Sequence, residues 1–305
     1  MKKNLLNQAF IEELLIHDKI TILDGGARGE IFAPFDKITS NILKVIRFDA
    51  DPNAQIIEDK NGIVVPKGLW NSKEKLKLNL AVSPHASSLF QFNTKLQSYI
   101  DPSKHLRSLD KVVEVECISI DEFIKESSID FIDFIKLDVH GAEYDVLLGA
   151  KNALKNTIGL LIESWTIPIH TNQKTRGATE DYVNNKNFYL FEEFAQAKWA
   201  RLDKSHSKKQ PIAIDSLYFK DPLLDNNLKS KIEAIKLIGI TDLFNHTGFA
   251  IQLNDYFHEI KMINNDLHKQ CNIILKQNFK ESPLDKIKHK LLLKIEDYLN
   301  DCSFK

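Results

Sequence analysis

Residues 134–150 read FIKLDVHGAEYDVLLGA, and this stretch decides the fold. Phe134, Ile135, Leu137 and Val139 form a short apolar run interrupted only by Lys136 and Asp138, the pattern of a strand buried in a parallel sheet. Asp138 falls at the carboxyl end of that strand and Gly141 makes the turn. From Ala142 to Leu154, Val146, Leu147, Ala150 and Leu154 recur at helical spacing. Strand, tight loop and helix in succession make one unit of an open α/β sheet, and in such sheets ligands bind beyond the carboxyl ends of the strands.

Upstream, ITILDGGARGE (residues 20–30) has the same design. Ile20, Ile22 and Leu23 predict a buried strand that Asp24 ends, and Gly25, Gly26 and Gly29 allow a tight turn with close backbone approach to a ligand. Because Gly25 and Gly26 are adjacent, the G-x-G-x-x-G spacing of dinucleotide sites is incomplete, which favours a cofactor without a pyrophosphate. The next strand, Val45 to Phe48, runs into Asp49-Ala50-Asp51-Pro52. Asp49 stands near the place where α/β cofactor domains set a carboxylate that accepts both ribose hydroxyls. Asp51 competes for that role, although Asp51-Pro52-Asn53 also reads as a turn or helix start.

Further along, Gly62 to Val65 predicts a third strand. GLWNS and then KLKLNLAV follow, the latter alternating as a half-exposed antiparallel strand does, so a hairpin is inserted here. The loop SPHASSLFQF (83–92) carries His85, Ser87 and Ser88, and VVEVECIS (112–119) is another alternating strand. Asp121, Glu122 and Phe123 open a short helix before the central stretch. Beyond it, GLLIES (159–164) predicts a fifth core strand ending in Glu163, with Trp165 and His170 just past it. If the strands are parallel, Asp24, Asp49, Asp138, Glu163 and His170 share one rim. NFYLFEEF (187–194) and IDSLYF (214–219) predict a closing pair, with KWARLDKSHSKKQ (198–210) as an exposed, mobile connection. From about Asp221 the pattern is helical. Its last segment, Lys286 to Leu299, sets Ile287, Leu291, Ile295 and Leu299 on one face and Lys286, Lys290 and Lys294 beside them. That suits a capping helix packed on the core or a second subunit, or peripheral contact with an anionic membrane.

With 305 residues, of which 43% are hydrophobic, the chain can bury a sizeable core. Its 41 basic and 42 acidic residues nearly cancel, so no global charge draws it to nucleic acid. Cys117, Cys271 and Cys302 are odd in number and widely spaced, against a disulfide framework or a structural zinc site and in favour of a reducing, cytoplasmic setting. The opening MKKNLLNQAFIEELLIHDKI places Leu5, Leu6, Ala9, Phe10, Leu14 and Leu15 on one side of a helix and reads as amphipathic, not as a signal. No run is long enough to span a bilayer. Three parts are expected: an N-terminal helix (1–19), an α/β domain (20–222) and a helical extension (223–305).

The ordered set of segments is more specific than any one of them. FIKLDVHGAEYDVLLGA closely resembles the signature of the FkbM family of methyltransferases. LDGGARG, FDADP, GLWNS, SSL, SIDEF and SLYFKDP agree in order, so the resemblance covers roughly Ile20 to Pro222. Two positions depart from the family: His140, where Glu or Gln is usual, and Ala50, where many members have Pro. The resemblance implies a Rossmann-like class I fold, a mostly parallel sheet with an antiparallel closing strand and an inserted β-hairpin. It also implies S-adenosylmethionine as cofactor, held by Asp24, Gly26, Ala27, Gly29, Asp49, Leu69 and Asp138, and O-methylation of a hydroxyl on a sugar, glycan or small natural product. If the acceptor is a hydroxyl, a base assists its deprotonation, and His140 and His170 are candidates, with Glu143 and Glu163 competing. The spacing of these groups matches no defined ligand motif, so no metal is expected. Two other readings compete: a binding or partner module that keeps the fold without catalysis, and a nucleic-acid methyltransferase, which the balanced charge disfavours. Self-association stays open.

Overall fold

The computed structural model describes residues 8–39, 41–57, 62–100, 105–199, 208–225, 228 and 230–278. The apolar runs become strands: β1 (Ile20–Gly25), β2 (Leu43–Phe48), β3 (Ile63–Val65), β4 (Gly68–Leu69), β5 (Glu74–Ala81), β6 (Leu109–Ile118), β7 (Phe134–Leu137), β8 (Gly159–Trp165), β9 (Phe188–Trp199) and β10 (Gln210–Lys220). Among the described residues the central sheet has seven strands in the order β3-β2-β1-β7-β8-β10-β9. The first five are mutually parallel, while β10 runs antiparallel to both β8 and β9. Strand order reverses between β1 and β7, and a crevice opens there beyond the carboxyl ends. This is the expected α/β fold. The closing strands are longer than expected, with register shifts along their pairing. Residues 200–207 of the expected mobile connection lie outside the described residues.

The inserted strands do not extend the central sheet. β5 pairs antiparallel with β6, β4 pairs parallel with β6, and the three form a sheet of their own. The first half of β5 is more exposed than the second, where Leu78 and Leu80 are buried. The burial is graded along the strand, where the Leu/Lys alternation predicts alternation from residue to residue, because the second half, including Asn79 and Ala81, is covered on both faces.

Helices flank the central sheet. α1 (Gln8–Leu15) buries Ile11 and Leu15, and residues 1–7 of the expected opening helix lie outside the described residues. α2 (Thr94–Ile100) follows the loop after β5. α3 (Ile120–Glu126) is N-capped by Ser119, whose Oγ accepts from the Glu122 N–H (3.2 Å) and donates to the Glu122 carboxylate (2.9 Å).

The helix expected over 142–154 is broken into α4 (Glu143–Leu148) and α5 (Ala153–Asn156). Its four apolar positions, Val146, Leu147, Ala150 and Leu154, are all buried. The break has two causes, both contacts with distant segments. A Cβ on Gly149 would lie 2.5 Å from the Trp70 carbonyl, so the chain passes directly against the GLWNS loop. The Asp121 carboxylate then caps the restart, accepting from the N–H groups of Asn152 (2.9 Å) and Ala153 (2.8 Å).

α6 (Arg176–Asn184) precedes β9, and α7 (Lys231–Leu243), α8 (Thr247–Glu259) and α9 (Asn265–Asn278) follow β10. Residues 8–237 make one compact unit and the chain from Ile238 belongs to a second. The division falls inside α7, whereas the sequence places its boundary at 222/223. In the first unit Lys236 is fully buried and donates to the Asp133 carboxylate (2.8 Å) and the Lys19 carbonyl (2.9 Å). In the second, α8 and α9 bury Leu253, Phe257, Leu267, Cys271 and Leu275. The basic segment Lys286 to Leu299 lies outside the described residues. No helix among the described residues is long and apolar enough to cross a membrane.

Candidate functional site

The carboxyl ends of β1 and β2 and the loop after β7 meet at a buried charge cluster. Asp24, 2% exposed, stands between two cations supplied by its neighbour strands. Lys136 Nζ lies 3.2 Å from Oδ1 and Arg47 Nη2 3.5 Å from Oδ2. Lys136 also reaches Asp138 at 3.5 Å. Burial alone would depress the lysine, but Asp138 and Asp24 outweigh it and hold its pKa above the ordinary value. Arg47 further donates to the carbonyls of Gly29 (2.9 Å), Glu30 (2.7 Å) and Ile57 (2.7 Å). One guanidinium therefore ties down the glycine loop and the segment after β2.

Above this cluster lies a cavity of about 220 Å³. Gly26, Phe48, Asp49, Leu69, Leu78, Asp138, Val139, His140 and Glu163 line it, with Arg28, Lys67 and the loop from Pro84 to Leu89 closing its sides. Gly26 has a φ of +78°, and a Cβ there would sit 1.9 Å from the Asp138 carbonyl. Its close approach is thus to the β7 loop, and that contact brings the two strand ends together. At Asp49, Oδ1 accepts from the Asp51 N–H (2.8 Å) and Oδ2 faces Arg28 Nε (3.2 Å). A carboxylate has about four acceptor positions, so two remain, and a vicinal diol needs two. Burial raises the Asp49 pKa, and the Asp51 N–H and Arg28 oppose that rise.

The loop after β7 is held in an unusual shape. His140 has a φ of +58°, a left-handed conformation that costs a non-glycine residue about 1–2 kcal/mol and gathers at functional sites. The Glu143 carboxylate pins the loop by accepting from the N–H groups of Val139 (3.0 Å) and Gly141 (3.0 Å). Ser88 Oγ donates to the His140 carbonyl (2.8 Å). The imidazole stands edge-on to Trp165 (5.0 Å between centroids) and to His170 (5.4 Å). Its Nδ1 lies 3.6 Å from Glu163 Oε2, beyond hydrogen-bond length, and Nε2 has no partner within the protein. Burial lowers the His140 pKa. Burial and then the neighbouring Asp138 and Asp215 carboxylates raise that of Glu163 well above the usual range. Both shifts oppose an ion pair between the two side chains.

Of the residues expected at the cofactor, Gly26, Asp49, Leu69 and Asp138 line the cavity, while Asp24, Ala27 and Gly29 do not. Asp24 is consumed by its two cations, the Ala27 N–H donates to the Phe48 carbonyl (2.9 Å), and Gly29 pairs with the segment at Gln55 to Ile57. Of the expected base candidates, His140 and Glu163 reach the cavity. His170 lies behind His140, 1% exposed, with its pKa driven by burial down to about 3, and Glu143 is occupied as the loop's acceptor. Arg28, Arg47 and Ser88 were not singled out for these positions. A signal existed for Arg47, a charge inside the run Val45 to Phe48. Among the described residues no group of three or more His, Cys, Asp or Glu is placed to hold a metal ion.

A parallel sheet reversing at β1/β7, with a glycine turn and strand-end acids around one crevice, defines a Rossmann-like methyltransferase domain. The family model of the methyltransferase FkbM domain matches residues 25–193. The match spans more than half of the chain, which therefore belongs to the FkbM methyltransferase family. No curated protein matches the sequence.

The Glu143 carboxyl makes this loop sensitive to pH. Burial, then the nearby Glu163, raises it from 4.5 to about 8, against the pull of the loop N–H groups. A raised folded value contributes stability that is complete below the unfolded pKa and is lost as pH rises through the folded one. Glu143→Gln cannot ionise, so its urea midpoint is expected to decline less than wild type between about pH 5 and 8. Equal declines would contradict this account.

Proposed function

We propose that the protein is an S-adenosylmethionine-dependent methyltransferase that acts on a hydroxyl of a sugar, glycan or hydroxylated small molecule. The observation that carries this reading is the Asp49 carboxylate, buried at the end of β2 with acceptor capacity for a diol, opposite Asp138 and His140 in one cavity. The residues present fit the donor's chemistry. Asp49 suits a ribose, Phe48, Leu69 and Leu78 give an adenine apolar surface, and the Asp138 carboxylate suits a cationic sulfur centre. S-adenosylmethionine, when bound, supplies a methyl group on a sulfonium and departs as a neutral thioether.

The chain's own work is then alignment, exclusion of water and movement of one proton. Asp49 and Asp138 hold the two ends of the donor. His140, neutral because it is buried, lines the cavity and takes the proton of the acceptor hydroxyl. The resulting imidazolium faces Asp138, whose charge favours it. Glu163 and Trp165 fix the plane of the ring, and His170 backs it from the side away from the cavity.

Two experiments test the reading. Asp49→Ala is expected to weaken S-adenosylmethionine binding in calorimetry by at least about 100-fold, the loss of two charge-assisted hydrogen bonds at roughly 1.5 kcal/mol each. Wild-type affinity in a folded variant would remove the ribose assignment. With an acceptor found by screening sugars, glycans and hydroxylated small molecules, wild-type kcat is expected to rise with pH through a value below about 6.5. His140→Ala should abolish that limb and lower kcat by about 10²–10⁴. Unaltered turnover across pH would dispose of the base.

A further inference from the structure

Arg28 belongs to no part of the mechanism given above, yet it is the cation nearest the proposed ribose site. It follows the glycine turn after β1, lines the cavity, and spans two acids with the two edges of its fork. Nε stands 3.2 Å from Asp49 Oδ2 and Nη2 2.8 Å from Asp51 Oδ2. Asp51 is fixed in its turn, because its Oδ1 accepts from the Asn53 N–H (2.9 Å) while its own N–H donates to Asp49 Oδ1 (2.8 Å). The turn that Asp51-Pro52-Asn53 encodes is therefore the anchor of a guanidinium clamp on Asp49. Only a planar fork can serve both carboxylates at once; a lysine ammonium is a point charge on a flexible stem.

Resting on the donor reading above, we infer that Arg28 is a positioning residue of the ribose site: it holds Asp49 in place and ionised, leaving one acceptor position on each oxygen for the diol. The surroundings make such a clamp necessary. Asp49 is largely buried, and the other acids that face it are Asp51 from its own turn and Asp24 from β1. Asp24 is already neutralised by Arg47 and Lys136, and Lys67 on the cavity wall is paired with Glu116 at 3.3 Å. Arg28 is thus the charge that opposes burial and like-charge repulsion at Asp49. Without it the carboxyl takes up a proton at higher pH, and a protonated carboxyl has lost part of its acceptor capacity.

The test is calorimetric titration of S-adenosylmethionine into the full chain across about pH 5.5 to 8, for wild type, Arg28→Met, Arg28→Lys and Asp51→Asn, with circular dichroism to confirm folding. The ratio of variant to wild-type affinity is compared, so that ionisation of the ligand cancels. Arg28→Met is expected to bind more weakly than wild type, with the deficit growing by at least about tenfold from the alkaline to the acidic end. Arg28→Lys should recover the alkaline limit and part of the acidic one, and Asp51→Asn should loosen the clamp with a smaller deficit of the same sign. A deficit in Arg28→Met that does not change with pH, or no deficit, overturns the assignment of Arg28 while the donor reading stands. Failure of wild type to bind overturns the donor reading and this inference together.

Discussion

The site rests on one buried carboxylate. Asp24 ends β1 and is claimed from one side by Arg47 of β2 and from the other by Lys136 of β7. Three adjacent strands are thereby pinned at their carboxyl ends, where each hands the chain to a different loop. Removing one partner of a buried ion pair costs about 3–5 kcal/mol, because the other charge is left uncompensated. The register of these strand ends is held accordingly, and with it the places where the glycine turn, Asp49 and Asp138 stand.

Each loop at the rim is then shaped by a second polar contact. Arg47 takes the carbonyls of the glycine loop, Arg28 and the Asp51 N–H take Asp49, and Glu143 takes the N–H groups that close the β7 loop. Most of the polar capacity at the sheet edge is spent on holding the edge itself. What remains lines the cavity: two acceptor positions on Asp49, the half-exposed Asp138 carboxylate and the His140 ring. A methyl donor with a sulfonium needs alignment more than chemical assistance, and a rim that commits its charges to rigidity is suited to that.

The apolar runs made the sheet legible, because each is too short for a buried helix and is bounded by turn residues. Asp49 and Asp138 were legible for the same reason, each following directly on such a run. The division of labour among the acids was not. Asp24 and Glu143 have the same chemistry as Asp49 and Glu163, and only the position of Arg47, Lys136 and the loop N–H groups separates supports from cavity walls. Gly149 and Asp121, which interrupt the helix expected over 142–154, act through partners far along the chain. The departure at His140 marked the right loop but could not tell of the left-handed backbone that sets its ring among Trp165, His170 and Glu163.

The central claim is that a methyl donor lies across the carboxyl ends of β1, β2 and β7. Hydrogen exchange read by mass spectrometry, with and without S-adenosylhomocysteine, addresses it on the intact chain. Protection is expected in residues 24–29, 48–51, 67–69 and 138–141, with α8 and α9 unchanged. No protection, or protection centred on the second cavity, of about 290 Å³, at the opposite strand ends lined by residues 16–19 and 128–131, would contradict it.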